Sequence, residues 1–277
     1  MFGAILTLAM MGTLATGDFA PGEEFAGARS IAMGYATRSI ATGNDAVFLN
    51  PAGMAMYQRY SIDITYMHRF EKNVAFPAVS LVDSQSSPLA MGLAYSWERA
   101  VDKSFSNHHA YLAAAYQLFR MLSLGLTLKY LNGGGKLLDF KHFTADVGLM
   151  FNPIAGLRIG LIGYNLFDVG DGDEYMPIML GAGIGYQGQS FVVGFDFVAN
   201  FYDKSDTKLR FSVGGEYTIA GKVPIRAGYM WDEDGNIHRW SIGAGILFQV
   251  GALDIGFRQN AKNTKDCELT AAFRFFI

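Results

Sequence analysis

The feature that most constrains this chain is a two-residue alternation of apolar and polar side chains along most of its length. From Leu209 to Ile219 every second residue is apolar or glycine, and the residues between them are charged, hydroxyl-bearing or glycine. Successive side chains of a strand point to opposite faces, so the pattern predicts strands with one apolar and one polar face. Fourteen such strands are predicted, near residues 60–69, 74–82, 89–98, 108–118, 121–131, 142–152, 156–165, 178–187, 190–200, 207–219, 222–231, 238–249, 252–259 and 267–277.

The predicted connections also alternate, in length and polarity. One set is mostly short, whereas the other is mostly long and polar and includes residues 98–107, 132–141 and 166–177. An even number of antiparallel strands with short turns on one side and longer loops on the other is typical of outer-membrane barrels. The predicted fold class is therefore all-β, a 14-stranded antiparallel transmembrane β-barrel.

Composition argues against several functional classes. The chain has 22 Lys and Arg against 25 Asp and Glu, for a formal net charge of −3. This balance provides no basic surface for nucleic acid, so no nucleic-acid partner is expected. The single cysteine, Cys267, excludes an internal disulfide and a multi-cysteine metal site. No nucleophile motif or nucleotide-binding loop is found, so neither an enzymatic activity nor a cofactor is expected.

The five histidines are predicted at strand ends on one rim of the barrel. The adjacent His108 and His109 would point to opposite faces of a strand, which does not suit shared metal ligation. A polar rim is expected and no metal is assigned, although clustering at one rim keeps a metal site as the alternative. The histidines are His68, His108, His109, His142 and His238.

The first 56 residues do not alternate and divide into two predicted segments. Residues 1–17 carry no charged side chain, and small residues at Thr13 and Ala15 occupy the positions that a signal peptidase reads. Residues 1–15 are therefore predicted to be a signal peptide, 16–56 a plug and 57–277 the barrel. Because no basic residue precedes Arg29, a wrongly assigned start codon or a buried N-terminal segment are alternatives.

Two short motifs lie within the predicted plug. Residues 27–34 read Gly-Ala-Arg-Ser-Ile-Ala-Met-Gly, and residues 50–53 read Asn-Pro-Ala-Gly. They resemble the N-terminal signature of FadL/PorV-type outer-membrane proteins. The resemblance implies a plug folded into the periplasmic end of a 14-stranded barrel, in the outer membrane of a diderm bacterium. It assigns the plug motif to Gly27, Ala28, Arg29, Met33, Gly34, Asn50, Pro51, Ala52 and Gly53.

A structural role is expected for the Asn-Pro-Ala-Gly segment, with direct ligand contact as the alternative. Pro51 fixes its own φ and favours an extended Asn50, whose amide offers donors and an acceptor to the plug backbone. Glycines on the predicted inner face would leave room for such a plug. They are Gly125, Gly148, Gly160, Gly194, Gly214, Gly228, Gly243, Gly245 and Gly256.

Charged side chains are also predicted on the inner face of the barrel. Eight are basic and six acidic, so most can pair, and paired charges are expected to hold the plug or brace the strands. A selectivity filter is the alternative. The residues are Asp63, Lys129, Asp146, Arg158, Asp196, Lys208, Arg210, Glu216, Arg226, Arg239, Asp254, Arg258, Glu268 and Arg274.

Two non-enzymatic functions follow from the resemblance. The short chain and the residue pattern Gly-Ala-Arg-x-x-x-Met-Gly of the plug motif favour the PorV-type branch. The function expected for this branch is that of a component or partner-binding scaffold of an envelope secretion or surface-assembly complex. The alternative is FadL-like passive transport of a hydrophobic small molecule, with Leu137, Leu138 and Phe140 as the candidate ligand loop. Expected partners are outer-membrane lipid, lipopolysaccharide and envelope proteins. A plain diffusion pore is less favoured, because the plug should fill the lumen.

Overall fold

A computed structural model of the protein describes residues 25–135, 139–170, 176–201 and 207–276. The strands within these residues are β1 (Tyr60–Arg69), β2 (Val74–Asp83), β3 (Leu89–Ala100), β4 (Phe105–Phe119), β5 (Leu122–Gly135), β6 (Asp139–Ile154), β7 (Leu157–Tyr164), β8 (Asp168–Gly170), β9 (Met179–Gln187), β10 (Phe191–Asn200), β11 (Lys208–Ile219), β12 (Val223–Asp232), β13 (Ile237–Phe248), β14 (Gly251–Asn260) and β15 (Cys267–Phe276).

The strands close into an antiparallel barrel. Each strand pairs with its neighbour in the chain, and β1 closes the ring by pairing with β15 from Ser61–Phe276 to Arg69–Glu268. The three-residue β8 is the exception: it pairs with β6 past the end of β7, which itself pairs with β6 and β9. Counting β7 and β8 as one position gives a ring of fourteen, which confirms the predicted fold class.

Side-chain burial follows the alternation of the sequence. In β1, Asp63 and Thr65 are buried inside the barrel, whereas Ile62, Ile64 and Tyr66 are exposed on its outer surface. An exterior that is apolar around an interior that is polar is the reverse of a water-soluble protein, and it is the arrangement that a lipid environment requires. Exposed Leu, Ile, Val and aromatic side chains recur on the outer face from β1 to β15.

Two predicted loops are largely strand. Of the predicted loop 98–107, only residues 101–104 form a turn, because β3 continues to Ala100 and β4 begins at Phe105. Residues 132–141 are mostly the extended ends of β5 and β6, in which Gly133 pairs with Phe140. The predicted loop bounds were wrong because a run of polar side chains was taken as the end of a strand. Hydrogen bonds between strand backbones do not depend on whether the side chains are polar, so the strands continue through these runs. In the first hairpin Asn107 donates to Glu98 across the strands at 2.9 Å.

The described part of the plug, residues 25–56, lies inside the barrel. It contains α1 (Ala28–Ala32), α2 (Asn44–Leu49) and a 3-10 helix (Pro51–Met56). The first helix contacts β12 to β15, the second contacts β1 to β4, and the 3-10 helix contacts β3 to β6. The predicted signal peptide, 1–15, and residues 16–24 of the predicted plug lie outside the described residues, so these boundaries remain predictions. Within the described ranges, no helix is long and apolar enough to cross a membrane.

Candidate functional site

The plug follows a track of glycines on the inner face of the barrel. An added Cβ at Gly160 would lie 2.7 Å from the carbonyl oxygen of Arg38, and one at Gly256 would lie 2.6 Å from that of Ala28. Contacts this short leave no room for a side chain, so glycine lets the plug backbone approach the strands. Added Cβ atoms would collide with the plug at eight of the nine predicted glycines, Gly125, Gly148, Gly160, Gly194, Gly214, Gly228, Gly243 and Gly256.

The ninth predicted glycine, Gly245, has a different neighbour. Its added Cβ would meet the side chain of Asp254 and the backbone of Leu253 on β14 rather than the plug. Three glycines of β9 that the prediction did not assign to the inner face also contact the plug. They are Gly181, which lies against Arg38, and Gly183 and Gly185, which lie against Ser39.

The plug motif lies in the packing between plug and barrel. Gly34 has φ of +62°, a conformation that favours glycine, and its added Cβ would lie 2.7 Å from the backbone nitrogen of Tyr229. The Arg29 Nε donates to Glu216 at 2.9 Å. Arg29 is half-buried and the other eight motif residues are buried: Gly27, Ala28, Met33, Gly34, Asn50, Pro51, Ala52 and Gly53.

The buried Asn50 side chain joins the plug to two strands. Its Oδ1 accepts from the backbone nitrogen of Ala52 at 3.3 Å, at the start of the 3-10 helix, and its Nδ2 donates to the carbonyl oxygen of Arg38 at 3.1 Å. The same Nδ2 lies 3.3 Å from the carbonyl oxygen of Leu149 on β6 and 3.4 Å from that of Leu161 on β7. Only an amide of this length supplies both the acceptor and the donors at one point.

A second anchor, Arg38, was missed by the sequence analysis. Its side chain is completely buried, and its Nε donates to the Tyr164 hydroxyl at 3.0 Å. Its backbone nitrogen donates to Asp196 at 2.7 Å, and its Nη1 lies 3.4 Å from the same carboxylate. A signal was available: Arg38 is the only charged residue between Arg29 and Asp45, and an isolated charge inside a barrel requires a partner.

The inner faces of β11–β15 form a wall of paired charges, here termed the charged wall. Toward the end of the barrel where β1 begins, the proximal end, Arg226 bridges Glu216 and Asp254 at 2.6 Å each. Arg274 pairs with Asp63 at 2.9 Å and with Asp45 of the plug at 3.2 Å. The distal end carries further pairs: Arg210 with Asp232, Arg239 with Asp266, and Glu268 with Arg258 and Arg69.

The remaining predicted inner charges lie outside this wall or at its edge. Lys129 pairs with Asp146 at 2.6 Å. Arg158 donates to the Tyr57 hydroxyl at 2.7 Å and to Gln187 at 2.8 Å. Lys208 is half-buried at the distal end of β11. The structure thus places the predicted charges on the inner face, mostly in pairs.

The opposite side of the interior carries a cluster of apolar side chains on the inner faces of β2–β4, here termed the apolar wall. Polar side chains are buried on the same faces outside this cluster: Ser80, Ser96, Glu98, Asn107 and His109. The residues of the apolar wall form one cluster with Val47 and Phe48 of α2 and with Phe25. The Phe48 ring lies 4.8 Å from that of Phe25 and 5.0 Å from that of Tyr111, in edge contacts. Apart from the aromatic Phe76, the wall consists of small or aliphatic residues: Ala78, Val82, Ala90, Ala94, Ala113 and Ala115.

The backbone ladder beside the apolar wall is interrupted. β2 and β3 pair at Ala75–Arg99 and again at Ala78–Ser96, but no pairing is formed at Phe76 or Pro77. Proline has no backbone N–H to donate, which accounts for the gap on this side of β2. On its other side Pro77 lies opposite Tyr66 of β1 in a continuous register. The barrel wall is therefore locally weakened next to the Phe76 side chain.

The remaining candidate positions are the predicted ligand loop and the histidines. Leu137 and Leu138 lie outside the described residues, and Phe140 is described only by its backbone, which pairs with Gly133. The histidines do not converge; His108 stacks on Trp97 at 5.8 Å, and His238 bonds to Tyr229. Among the described residues, no group of three or more His, Cys, Asp or Glu side chains could hold a metal.

The fold and the plug together define a class: a closed 14-stranded barrel filled by an N-terminal segment. No protein-family model matches the chain, and no curated protein matches it. Solved structures do match, over nearly their whole length. The CymD monoaromatic hydrocarbon channel has 15% identity and a TM-score of 0.68, covering 93% of this chain and 98% of that one.

Two further solved structures share this fold. The toluene transporter TodX of Pseudomonas putida has 13% identity and a TM-score of 0.67, covering 92% of this chain and 98% of that one. A FadL homologue of Pseudomonas aeruginosa has 10% identity and a TM-score of 0.66, covering 95% and 98%. The fold is therefore that of FadL-type barrels. These comparisons support the FadL-type part of the resemblance and not the PorV-type branch that the sequence favoured.

Proposed function

We propose that this chain is a non-enzymatic barrel of the outer membrane that conducts a hydrophobic small molecule passively. The observation that carries the proposal is the apolar wall. The interior of an outer-membrane barrel is ordinarily polar, yet here β2–β4 present Phe76, Ala90, Ala94 and Ala113 to the plug. Small apolar side chains along one side of the lumen give a hydrophobic molecule a surface that does not require it to displace charged groups.

The interrupted ladder supports the same function. The gap at Pro77 adjoins the apolar wall, so a hydrophobic molecule on this wall lies close to a point where few backbone hydrogen bonds resist opening. Lateral release into lipid would avoid transfer of the molecule into water. The chain's structural neighbours include a monoaromatic hydrocarbon channel and a toluene transporter, which favours transport over the secretion-scaffold interpretation. Lipopolysaccharide and protein partners stay predictions from the sequence.

The direct test is uptake of radiolabelled toluene by cells that display the protein in a lipopolysaccharide-bearing outer membrane and lack other such channels. Ala94→Asp places a charge on the apolar wall and is expected to lower uptake about tenfold, because a buried unpaired charge repels an apolar ligand. Ser212→Asp is the matched control, since Ser212 is also buried on the inner face but belongs to the charged wall. Equal uptake by the two variants, with both barrels assembled, would contradict the proposal.

A second variant tests the lateral route without adding charge. Pro77→Ala restores a backbone N–H at the ladder gap and is expected to slow toluene uptake several-fold, about twofold to fivefold, while preserving assembly. Pro224→Ala is the control, because Pro224 is likewise paired on one side, with Thr218, and unpaired on the other, but lies in β12 of the charged wall and away from the apolar wall. Unchanged uptake in Pro77→Ala would remove the ladder gap from the proposed route.

A further inference from the structure

A polar cavity opens at the proximal end of the barrel, on the opposite side of the interior from the ladder gap. Its volume is about 200 Å³. Tyr57 and Phe276 stand at its rim, where the chain enters β1 and leaves β15. Five guanidinium groups line it but only two carboxylates do: Arg29, Arg59, Arg158, Arg226 and Arg274 against Glu216 and Asp254.

Three of the five arginines are committed to carboxylates. Arg29 and Arg226 both pair with Glu216, at 2.9 and 2.6 Å, and Arg274 pairs with Asp63 and Asp45 behind the cavity. These pairs are the proximal end of the charged wall. They hold the plug to the strands, and because the positive charges of these three arginines are neutralised by carboxylates, the three are poor candidates for binding an anionic ligand.

The other two, Arg59 and Arg158, have no carboxylate within 4 Å among the described residues. Arg158 is buried and bonds only to neutral partners, the Tyr57 hydroxyl and Gln187. Arg59 is half-buried, and its Nε is a buried donor without a hydrogen-bond acceptor in the described structure. Burial lowers the pKa of the Arg59 guanidinium, and the nearby positive charge of Arg274 lowers that pKa further.

Both guanidinium groups contact the same aromatic ring, that of Tyr57. The guanidinium carbons of Arg59 and Arg158 lie 5.8 and 5.6 Å from the centroid of the same Tyr57 ring, and that of Arg59 lies 4.7 Å from the centroid of Phe276. A guanidinium that lies over a ring can still donate its N–H groups to an acceptor. In Arg158 the Nη2 already donates to Tyr57 and Gln187, so its Nη1 and Nε are the groups left for a ligand.

We propose that this cavity binds a phosphate oxyanion between Arg59 and Arg158 at the proximal mouth of the barrel. Guanidinium edges match the oxygens of a phosphate in a bidentate manner, and a phosphate would supply the acceptor that the Arg59 Nε lacks. The phosphate could come from a free anion or from the headgroup of a membrane lipid at the barrel rim. The site does not depend on the proposed transport, because the apolar wall contributes none of its residues.

The test is calorimetric titration of the full, folded chain in a maltoside detergent at fixed ionic strength. Two probes are used in turn: inorganic phosphate and dihexanoyl phosphatidylglycerol below its critical micelle concentration. Wild-type protein is expected to bind at least one probe saturably. Arg59→Gln and Arg158→Gln are each expected to weaken binding about tenfold, because each removes hydrogen bonds to a charged group.

Arg99→Gln is the matched control. Arg99 also stacks on an aromatic ring, 4.7 Å from the centroid of Trp97, but lies exposed at the distal end. It is expected to bind the probes as wild type does. Binding of inorganic phosphate identifies a free anion as sufficient, whereas binding of the lipid alone identifies the headgroup as the source.

Two outcomes would overturn the proposal. One is that wild-type protein binds neither probe saturably, a result that needs no variant to fold. The other is that Arg59→Gln, Arg158→Gln and Arg99→Gln bind equally well. Heat-dependent migration in electrophoresis checks assembly, and Arg59→Lys, which keeps the charge but loses the planar fork, is expected to bind with intermediate affinity. Toluene uptake is not a readout here, so failure of this site leaves the transport proposal intact.

Discussion

The apolar wall of β2–β4 and the charged wall of β11–β15 hold the same plug by different interactions. On the apolar wall, Phe48 and Val47 of α2 pack among alanines, and the contacts are dispersive and non-directional. On the charged wall, Arg274 reaches Asp45 of the plug and Arg29 of the plug reaches Glu216. Directional pairs fix where the plug sits, whereas an apolar surface tolerates small shifts. The difference indicates one wall that anchors the plug and one along which an apolar molecule can pass.

The first prediction concerns the anchor and has the largest expected effect. Arg274→Met leaves Asp45 and Asp63 buried without their cation, which should lower the free energy of unfolding by about 3–5 kcal/mol. Equilibrium unfolding of the detergent-folded barrel in guanidinium, followed by tryptophan fluorescence, measures it. The control is Arg99→Met at the exposed distal end, expected to change less than about 1 kcal/mol. Equal losses in both variants would mean that the charged wall is no anchor.

The second prediction concerns the apolar wall. Phe48→Ala removes a ring packed against Phe25 and Tyr111, and the loss of burial with the cavity left behind should cost about 3 kcal/mol. Because the new space adjoins the apolar wall, toluene uptake should rise rather than fall. Phe119→Ala, at an exposed position 70% accessible, is the control for stability. Lower uptake by a folded Phe48→Ala barrel would contradict the assigned route.

The third prediction compares the two walls at glycines. A Cβ at Gly228 would collide with the backbone of Met33 and Gly34, whereas one at Gly92 would meet the side chains of Met54 and Val47, at 2.8 and 2.9 Å. Side chains can rotate and plug backbone held by ion pairs cannot, so Gly228→Ala should cost about 1–3 kcal/mol and Gly92→Ala less. Equilibrium unfolding in guanidinium, as for the first prediction, compares the losses of unfolding free energy of the two variants. A larger cost at Gly92 would show that the apolar wall is the more rigid one.

The fourth prediction, the smallest, concerns pH. Burial raises the pKa of the Asp45 carboxyl above its ordinary value of 3.8, although Arg274 opposes the shift and Asp63 adds to it. A raised pKa means that the folded state binds this proton more tightly than the unfolded chain. The contribution of Asp45 to stability is therefore fully present below pH 3.8 and declines as the pH rises through its folded pKa.

Asp45→Asn should remove this decline. The difference in unfolding free energy between wild type and Asp45→Asn, measured from pH 3.8 upward, is expected to shift against wild type as the pH rises. A difference that does not vary with pH would mean that Arg274 fully compensates the buried carboxylate.

Much of the barrel could be predicted from the sequence, for a local reason. Alternation in a segment such as β11 assigns each side chain to one face of its own strand, and this needs no knowledge of the neighbours. The inner charges Arg226 and Glu216 and the inner glycine Gly214 were found in this way. The predicted loops at 98–107 and 132–141 were wrong, because backbone pairing continues into these polar segments and leaves no mark in side-chain polarity.

The site was less predictable, because its contacts join residues that are remote in the chain. Arg29 and Glu216 are 187 residues apart, and Arg38 and Asp196 are 158 residues apart. The isolated charge of Arg38 indicates that it needs a partner, but nothing near it in the sequence indicates that the partner is Asp196. Arg59 and Arg158 share the Tyr57 ring only because residues 57–59, which connect the plug to β1, pass the start of β7.

The sequence by itself determined the number of strands, the face of each side chain and the space for a plug, because these follow from a two-residue period and from glycine. Only the tertiary structure decided how the charges pair, where an apolar wall faces the plug, where Pro77 interrupts the ladder and which arginines lack a carboxylate. Those features depend on barrel closure and on the path of the plug. Both bring distant residues within a few ångströms of each other, a distance that no local pattern encodes.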